Sequence, residues 1–113
     1  MGIKRIGDDE GLAALAGRQE QMPMAVRYLL QRIREEFPGH SVELRIPPYG
    51  AVQCVAGLNH RRGTPPNVIE LSPEDFLELC LGELGWDAAV VSGKLIASGT
   101  LTDELSQIFP LEL

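Results

Sequence analysis

The amino-acid sequence predicts an α+β domain in which helices are set against a small, mainly antiparallel sheet of four or five strands. Two observations lead to this fold class. Two short strand patterns joined by a Pro-Pro-Tyr-Gly turn at 47–50 predict a β-hairpin. Helical patterns lie before the hairpin and after it, so the predicted order is helix, three strands, two helices, strand, helix. Elements in this order favour a layer of helices packed on a sheet.

Length, composition and charge restrict the class of protein. The 113 residues suffice for one domain that buries about two-thirds of its unfolded surface. With 44% hydrophobic and 23% charged residues, most of the chain should fold. The net charge of −6 argues against nucleic acid or an anionic membrane as the main partner. No apolar run approaches about 18 residues and no signal sequence opens the chain, so we expect no stable membrane insertion and a cytoplasmic protein.

Residues 1–22 are separated from the domain predicted over 23–113. This N-terminal segment mixes glycine, charged residues and alanine without a strong period. Leu12, Leu15 and Ala16 allow one short helix, which the neighbouring glycines limit. Two interpretations stay open: the segment is frayed and mobile, or it docks on the domain or on a partner.

The domain is predicted to begin with an amphipathic helix. Pro23 suits its first turn, and the Pro-Gly pair after Phe37 should end it. The apolar stripe of this helix should face the core, whereas Arg27, Gln31 and Arg34 should face water.

Three strands follow in the predicted order. The first, 42–46, alternates apolar and polar residues and therefore has one wet face. The second, 51–57, is apolar on both faces, which is typical of an inner strand covered on both sides. A loop rich in proline and glycine, 59–67, separates it from the third strand at 68–71.

The helix after the third strand has the clearest start signal in the chain. Ser72 is a good N-cap, Pro73 suits the first helical position, and Asp75 completes a capping box. The helix should end at Gly82 or Gly85. Its apolar residues span an arc of roughly 200°, where about 100° would suffice for packing on one sheet. The excess requires a second helix layer, another subunit or a bound apolar molecule.

Three further elements complete the predicted domain. A short helix should run from Trp86 to about Ser92, and a strand from 95 to 98. A last helix, capped by Thr100 or Thr102, should end near Ile108.

Two motifs stand in this second half. They read Asp-Phe-Leu-x-Leu-x-x-Gly-x-Leu, starting at Asp75, and x-Ala-x-x-Ser-Gly-Lys-Leu-x-x-x-Gly, ending at Gly99. Together they resemble the C-terminal half of sterol carrier protein type 2 domains. Upstream, residues 25–30, 47–55 and 62–68 look like the bacterial orthologues of that domain.

The resemblance covers roughly residues 23–111 and implies a sterol carrier-like fold that carries a lipid, an acyl chain or a sterol-like molecule. The family usually shows five strands. This sequence shows four clear ones, because the loop at 59–67 stands where an extra edge strand would run. A related module is attached to mycothiol-dependent maleylpyruvate isomerases, so the resemblance also implies a partner enzyme as an alternative.

Catalytic signatures are missing from the sequence, so we predict no enzyme, no catalytic residue, no metal and no cofactor. There is no supported Ser-His-Asp set, no phosphate-binding loop and no cluster at metal-ligand spacing. Glu74, Asp75 and Glu78 form a solvated helix face. Cys54 and Cys80 form neither a metal spacing nor a redox motif and are expected to be buried free thiols.

The apolar binding site is predicted between the sheet and the helices at 73–82 and 101–109. Its expected lining residues are Val52, Cys54, Phe76, Leu79, Cys80, Leu105, Ile108 and Phe109. The loop residues His60, Arg61 and Arg62 could hold an anionic head group at the pocket mouth. The alternative for this loop is a solvated segment whose arginines pair with nearby carboxylates.

Two other functions stay open at this point. The same fold without a cavity could be an accessory module whose wide apolar arc is covered by a partner enzyme or by a second copy in a homodimer. A thiol enzyme is the third hypothesis, and it requires a lowered thiol pKa that the sequence around Cys54 and Cys80 gives no reason to expect.

Overall fold

The computed structural model describes residues 4–57, 67–99 and 102–113. The helices are α1 (Asp8–Ala16), α2 (Met22–Glu36), α3 (Pro73–Cys80) and α4 (Trp86–Val91), followed by a C-terminal 3₁₀ helix (Thr102–Gln107). The strands are β1 (Val42–Ile46), β2 (Gly50–Cys54), β3 (Asn67–Leu71) and β4 (Leu95–Ser98). The predicted α+β class and the order of elements are confirmed, except that the last helix is 3₁₀ rather than α.

The four described strands form one mixed sheet in the order β2-β1-β3-β4. β1 pairs antiparallel with β2, and β3 pairs antiparallel with β4. The two antiparallel pairs are joined at the centre of the sheet by a parallel pairing of β1 with β3. The sheet is therefore mainly antiparallel, as predicted.

β2 is an edge strand among the described strands, and the prediction of an inner strand at 51–57 is wrong. Ala51 is exposed, and Val52 is only half-buried. α2 packs against one face of β2. The apolar residues on that face are therefore covered, whereas the other face of the strand is not. The strand ends at Cys54 because Val55 has a φ of 65°, a left-handed conformation that breaks the extended chain.

The core lies on one face of the sheet, called here the inner face. Val42, Leu44 and Ile46 of β1 and Ile69 and Leu71 of β3 project to it and are at most 3% exposed. They belong to the same hydrophobic cluster as the buried residues of α2 and α3. The opposite face, called the outer face, carries an ion pair between neighbouring polar residues of β1 and an exposed isoleucine of β4. The helices α2 and α3 thus pack on the inner face.

α3 begins at the predicted residue. The Ser72 hydroxyl accepts a hydrogen bond from the Asp75 backbone N–H at 3.2 Å. The wide apolar arc of this helix is buried within the chain, with Phe76, Leu77, Leu79 and Cys80 at most 1% exposed. α2 packs against α3, and the Leu111 N–H donates to the Cys80 carbonyl at 2.9 Å. The described chain therefore covers the arc with its own helix layer and its C-terminal segment.

The N-terminal segment is docked on α2. α1 packs against α2 so closely that a Cβ added at Gly11 would lie 2.2 Å from the Tyr28 ring. The Tyr28 hydroxyl donates to the Asp8 carboxylate at 2.9 Å. Gln31, which the sequence predicts to face water, is 8% exposed because the backbone of Ile6 lies against it.

Candidate functional site

The eight apolar residues predicted to line a ligand pocket lie between the sheet and the helices. Six of them are at most 4% exposed and belong to one cluster: Cys54, Phe76, Leu79, Cys80, Leu105 and Ile108. Val52 and Phe109 are half-buried and pack against that cluster. The structure thus brings residues from β2, α3, the C-terminal 3₁₀ helix and the segment directly after it into one apolar region.

The C-terminal segment is positioned by contacts with α4, α3 and the sheet. The rings of Trp86 and Phe109 are stacked, with centroids 6.0 Å apart and planes 14° from parallel. Such a stacked pair stabilises by about 1 kcal/mol beyond its buried area. The 3₁₀ helix packs against β3, and Leu105 is fully buried there. These contacts hold the last turn of the chain against the apolar cluster.

The protein layer that covers the inner face of the sheet ends between β3 and β4. Ile69 and Ala97 are directly opposite each other in the antiparallel register, so their side chains project to the same face. Ile69 is fully buried, whereas Ala97 is exposed. Leu95, two residues before Ala97 on the same face, is half-buried against the core cluster. Solvent therefore reaches the edge of the apolar cluster at β4.

The thiols near this region are not activated. Burial raises the pKa of the Cys54 thiol to about 11 and raises the pKa of the Cys80 thiol well above its ordinary value. The nucleophilic form of cysteine is the thiolate, which is scarce at neutral pH when the pKa is raised. Among the residues that the structure describes, no group of three His, Cys, Asp or Glu side chains is arranged to hold a metal ion. What the arrangement offers is apolar surface.

Two sequence predictions fall outside the described residues. His60, Arg61 and Arg62, the predicted contacts for an anionic head group, lie between the described ranges 4–57 and 67–99. Thr100, one of the two predicted caps of the last helix, lies outside them as well. Their roles stay predictions.

A cleft that the sequence did not predict lies between α2, the segment before α1 and the start of β2. It has a volume of about 530 Å³. Its walls combine apolar side chains with basic ones: Lys4, Arg5, Ile6, Arg27, Leu30, Gln31, Arg34, Glu35, Tyr49, Gly50, Ala51 and Val52. The available signal was the spacing of Arg27, Gln31 and Arg34, which places all three on one helix face. From the sequence, that face is expected to face water, because the sequence leaves open whether the N-terminal segment docks on the domain or is mobile.

Comparison with known proteins identifies the family. The sequence profile described as "Bacterial SCP ortholog" matches residues 18–111. The chain belongs to this family. The match confirms the resemblance to sterol carrier proteins and spans α2 to the C-terminal segment, whereas α1 precedes it. The relation to the module of maleylpyruvate isomerases stays a prediction.

Two solved structures of sterol carrier-like proteins from Aedes aegypti are similar to this chain. Sterol Carrier Protein 2 Like 2 is 14% identical, with a TM-score of 0.42 over 90% of this chain and 99% of that chain. Sterol Carrier Protein-2 like-3 is also 14% identical, with a TM-score of 0.39 over 79% of this chain and 93% of that one. No curated protein matches the sequence. In the described ranges, no helix has the length and apolar character needed to cross a membrane.

Proposed function

We propose that this sterol carrier orthologue binds an apolar small molecule, such as a lipid, an acyl chain or a sterol-like compound, without making or breaking a covalent bond. The proposed site is the interface of sheet and helices lined by the eight apolar residues named above, and the proposed compartment is the cytoplasm. Membership of the bacterial sterol carrier orthologue family supports this function. The unactivated thiols and the apolar character of the region also favour binding over catalysis.

The observation that carries the proposal is the contrast between Ile69 and Ala97. Because the inner face is exposed at Ala97 and buried at Ile69, an apolar molecule could approach the cluster without unfolding the sheet. Leu105 and Ile108, which cover the cluster next to β3, would shift to admit it. Burial of ligand surface would supply roughly 25 cal/mol per Å², before the entropy costs of binding.

An anionic head group of the ligand would be held by His60, Arg61 and Arg62. Arginine forms paired, charge-assisted hydrogen bonds with carboxylate or phosphate oxygens. We expect the Arg61→Ala/Arg62→Ala double variant to bind acyl-chain anions more weakly and neutral apolar compounds as before. Equal affinity of variant and native protein for the anions would show that these arginines do not contact the head group.

Three measurements test the proposed function directly. Mass spectrometry of organic extracts of the purified protein should identify a copurifying apolar compound. Displacement of a fluorescent fatty acid should give a saturable binding curve, and NMR shift changes should include the methyl groups of Ile69, Leu105 and Ile108. A protein that copurifies with nothing and displaces nothing would refute the carrier function.

The alternative is an accessory module that uses the same fold to contact a partner enzyme or a second copy of itself. The observation in its favour is the exposure of Val90, Val91 and Ile96, which are 48%, 87% and 69% exposed within seven consecutive residues. Large exposed apolar side chains become an interaction surface when they are contiguous, and these three are close in the sequence. Size-exclusion chromatography with light scattering should detect a dimer if this alternative holds, and a Val91→Asp variant should dissociate it. A monomer at all concentrations, together with ligand binding, would favour the carrier.

A further inference from the structure

The cleft between α2, the segment before α1 and β2 has the dimensions of a small-molecule site. Its volume of about 530 Å³ falls within the range of roughly 300–1,000 Å³ that is usual for ligand pockets. It lies on the α2–β2 side of the sheet, and β4, with its exposed Ala97, forms the other edge. It is therefore separate from the opening on which the proposed function depends.

The outer wall of this cleft is fixed to α2 by polar contacts. Gln31 accepts a hydrogen bond from the Ile6 N–H at 2.9 Å and donates one to the Ile6 carbonyl at 2.8 Å. Arg5 forms two hydrogen bonds with the Glu35 carboxylate, at 2.7 and 2.9 Å. The Tyr28–Asp8 hydrogen bond anchors the first turn of α1 beside them. The wall is thus part of the folded structure, although it precedes the segment matched by the family profile.

The charge of the cleft is opposite to that of the protein. Four of the ten Lys and Arg residues line it, against one of the sixteen Asp and Glu residues, in a chain of net charge −6. The one carboxylate, Glu35, is paired with Arg5, and Arg5 also contacts Asp8. Within the described ranges, Lys4, Arg27 and Arg34 have no carboxylate oxygen within 4.0 Å. Three cations therefore border the cleft without a described counterion.

The remaining lining is apolar. Leu30 is 3% exposed, and Ile6, Tyr49 and Val52 are half-buried against the core cluster. Arg27 donates from Nε to the Tyr49 carbonyl at 3.4 Å, which leaves its two terminal nitrogens available. An apolar floor with basic groups at the rim complements a molecule that has an anionic head and a short apolar tail.

We propose that this cleft is a second binding site, specific for small organic anions of the medium-chain carboxylate type. The head group contacts Arg27, Arg34 and Lys4, and the tail lies against Leu30 and Val52. The cleft shares Val52 with the proposed sheet–helix pocket, but its basic residues and Leu30 belong to the cleft alone, so either site can bind a ligand without the other. The shared chemistry of its ligands is a carboxylate or phosphate next to an alkyl chain.

The test is an NMR titration of the full-length protein with decanoate, decanol and inorganic phosphate. Decanoate should shift the signals of Ile6, Leu30 and the Arg34 amide, and decanol should affect them at least threefold less at equal concentration. Inorganic phosphate should bind weakly if the tail contributes, whereas phosphate binding equal to that of decanoate would show a plain anion site and overturn the requirement for a tail. Raising the salt concentration should weaken decanoate binding, because the cations are exposed.

Charge-neutralising variants identify the contacts. Replacing one exposed cation should weaken decanoate binding about threefold, and the double variant Arg27→Gln/Arg34→Gln should weaken it by about tenfold. Arg45→Gln is the matched control, because Arg45 lies on the outer face of the sheet. This substitution should leave decanoate binding unchanged. Shifts confined to Ile69, Leu105 and Ile108 would assign decanoate to the sheet–helix pocket alone and overturn the second site. Equal binding of decanoate and decanol to the native protein would also overturn it, independently of the variants.

Discussion

Gln31 on α2 binds both backbone polar groups of Ile6, accepting from its N–H at 2.9 Å and donating to its carbonyl at 2.8 Å. The two residues are 25 positions apart in the sequence. This pairing resembles one rung of an antiparallel ladder, with a side-chain amide in place of a second strand. These two hydrogen bonds hold the segment before α1 against α2, where it forms one wall of the cleft.

The first prediction concerns this amide. In Gln31→Ala, both hydrogen bonds to Ile6 are lost, and the free energy of unfolding should fall by about 1–3 kcal/mol. Amide exchange at Ile6 should become faster, which NMR or mass spectrometry can measure. Gln19→Ala, at an exposed position between α1 and α2, is the control and should change stability by less than about 0.5 kcal/mol. Unchanged exchange at Ile6 in the Gln31 variant would contradict the contact.

The second prediction tests the close approach of α1 to α2. In Gly11→Ala, the new Cβ would lie 2.2 Å from the Tyr28 ring, so the helices must separate at a cost of about 1–3 kcal/mol. Gly17→Ala is the matched control, because its Cβ would come no closer than 3.4 Å to any neighbouring atom. Chemical denaturation of both variants measures the difference. Equal stabilities would mean that α1 is not packed as described.

The third prediction concerns the acid titration of Asp8. The hydrogen bond from Tyr28 and then the guanidinium of Arg5 lower the pKa of Asp8 below its ordinary value of 3.8. Because the folded-state pKa is the lower one, the stabilisation is complete above the ordinary value and is lost as the pH falls through the folded-state pKa. In Tyr28→Phe, the pKa of Asp8 should rise toward its ordinary value, as measured by NMR titration of the carboxyl carbon.

Glu35 provides the internal control for that titration. The pKa of Glu35 is lowered by Arg5, and Tyr28 is not among the causes. It should therefore stay low in the Tyr28→Phe variant while the pKa of Asp8 rises. If both values rise together, the whole N-terminal segment has detached and the specific role of the Tyr28 hydroxyl is not supported.

The fourth prediction concerns the two thiols. Burial raises the pKa of Cys54 to about 11, so at pH 8 its thiolate fraction is only about 0.1%. The pKa of Cys80 is also raised by burial. Iodoacetamide should therefore alkylate both thiols at least tenfold more slowly in the native protein than in guanidinium, as followed by mass spectrometry. Rapid alkylation of either thiol in the native state would favour the thiol-enzyme hypothesis instead.

The fifth prediction tests the opening at β4. Ala97→Trp places an indole on the exposed part of the inner face and should weaken binding of a fluorescent fatty acid to the sheet–helix site by about tenfold. Ile96→Trp is the matched control, because Ile96 projects to the outer face of the same strand. Both variants should retain native stability, since both positions are exposed. Equal affinities of the two variants would place the route of the ligand elsewhere.

Local signals in the sequence predicted the starts of α2, α3 and α4, and most strands. The capping of α3 depends on Ser72, Pro73 and Asp75, which are adjacent in the chain, so the pattern alone determines it. The alternation at 42–46 likewise predicts β1 with its bounds. The eight apolar residues were predicted to meet because each lies on an apolar face, and the structure gathers them around one cluster.

Nonlocal packing determined what the sequence could not predict. An apolar strand such as β2 can lie inside a sheet or at an edge beneath a helix, and only the neighbouring strands decide between the two. The same limit applies to Ala97, whose exposure depends on where the helix layer ends. Gln31 was assigned to water because it lies among arginines on α2, yet a segment 25 residues away buries it.

The outer face of the sheet is a surface at which the protein can be labelled or immobilised. Arg45 and Ile96 are exposed on that face, and both proposed sites lie on the side of the helices. A cysteine introduced at Arg45 could therefore carry a dye or attach the protein to a sensor chip while the cleft and the apolar cluster remain accessible. Because the native thiols are buried, such a label would react at a single position.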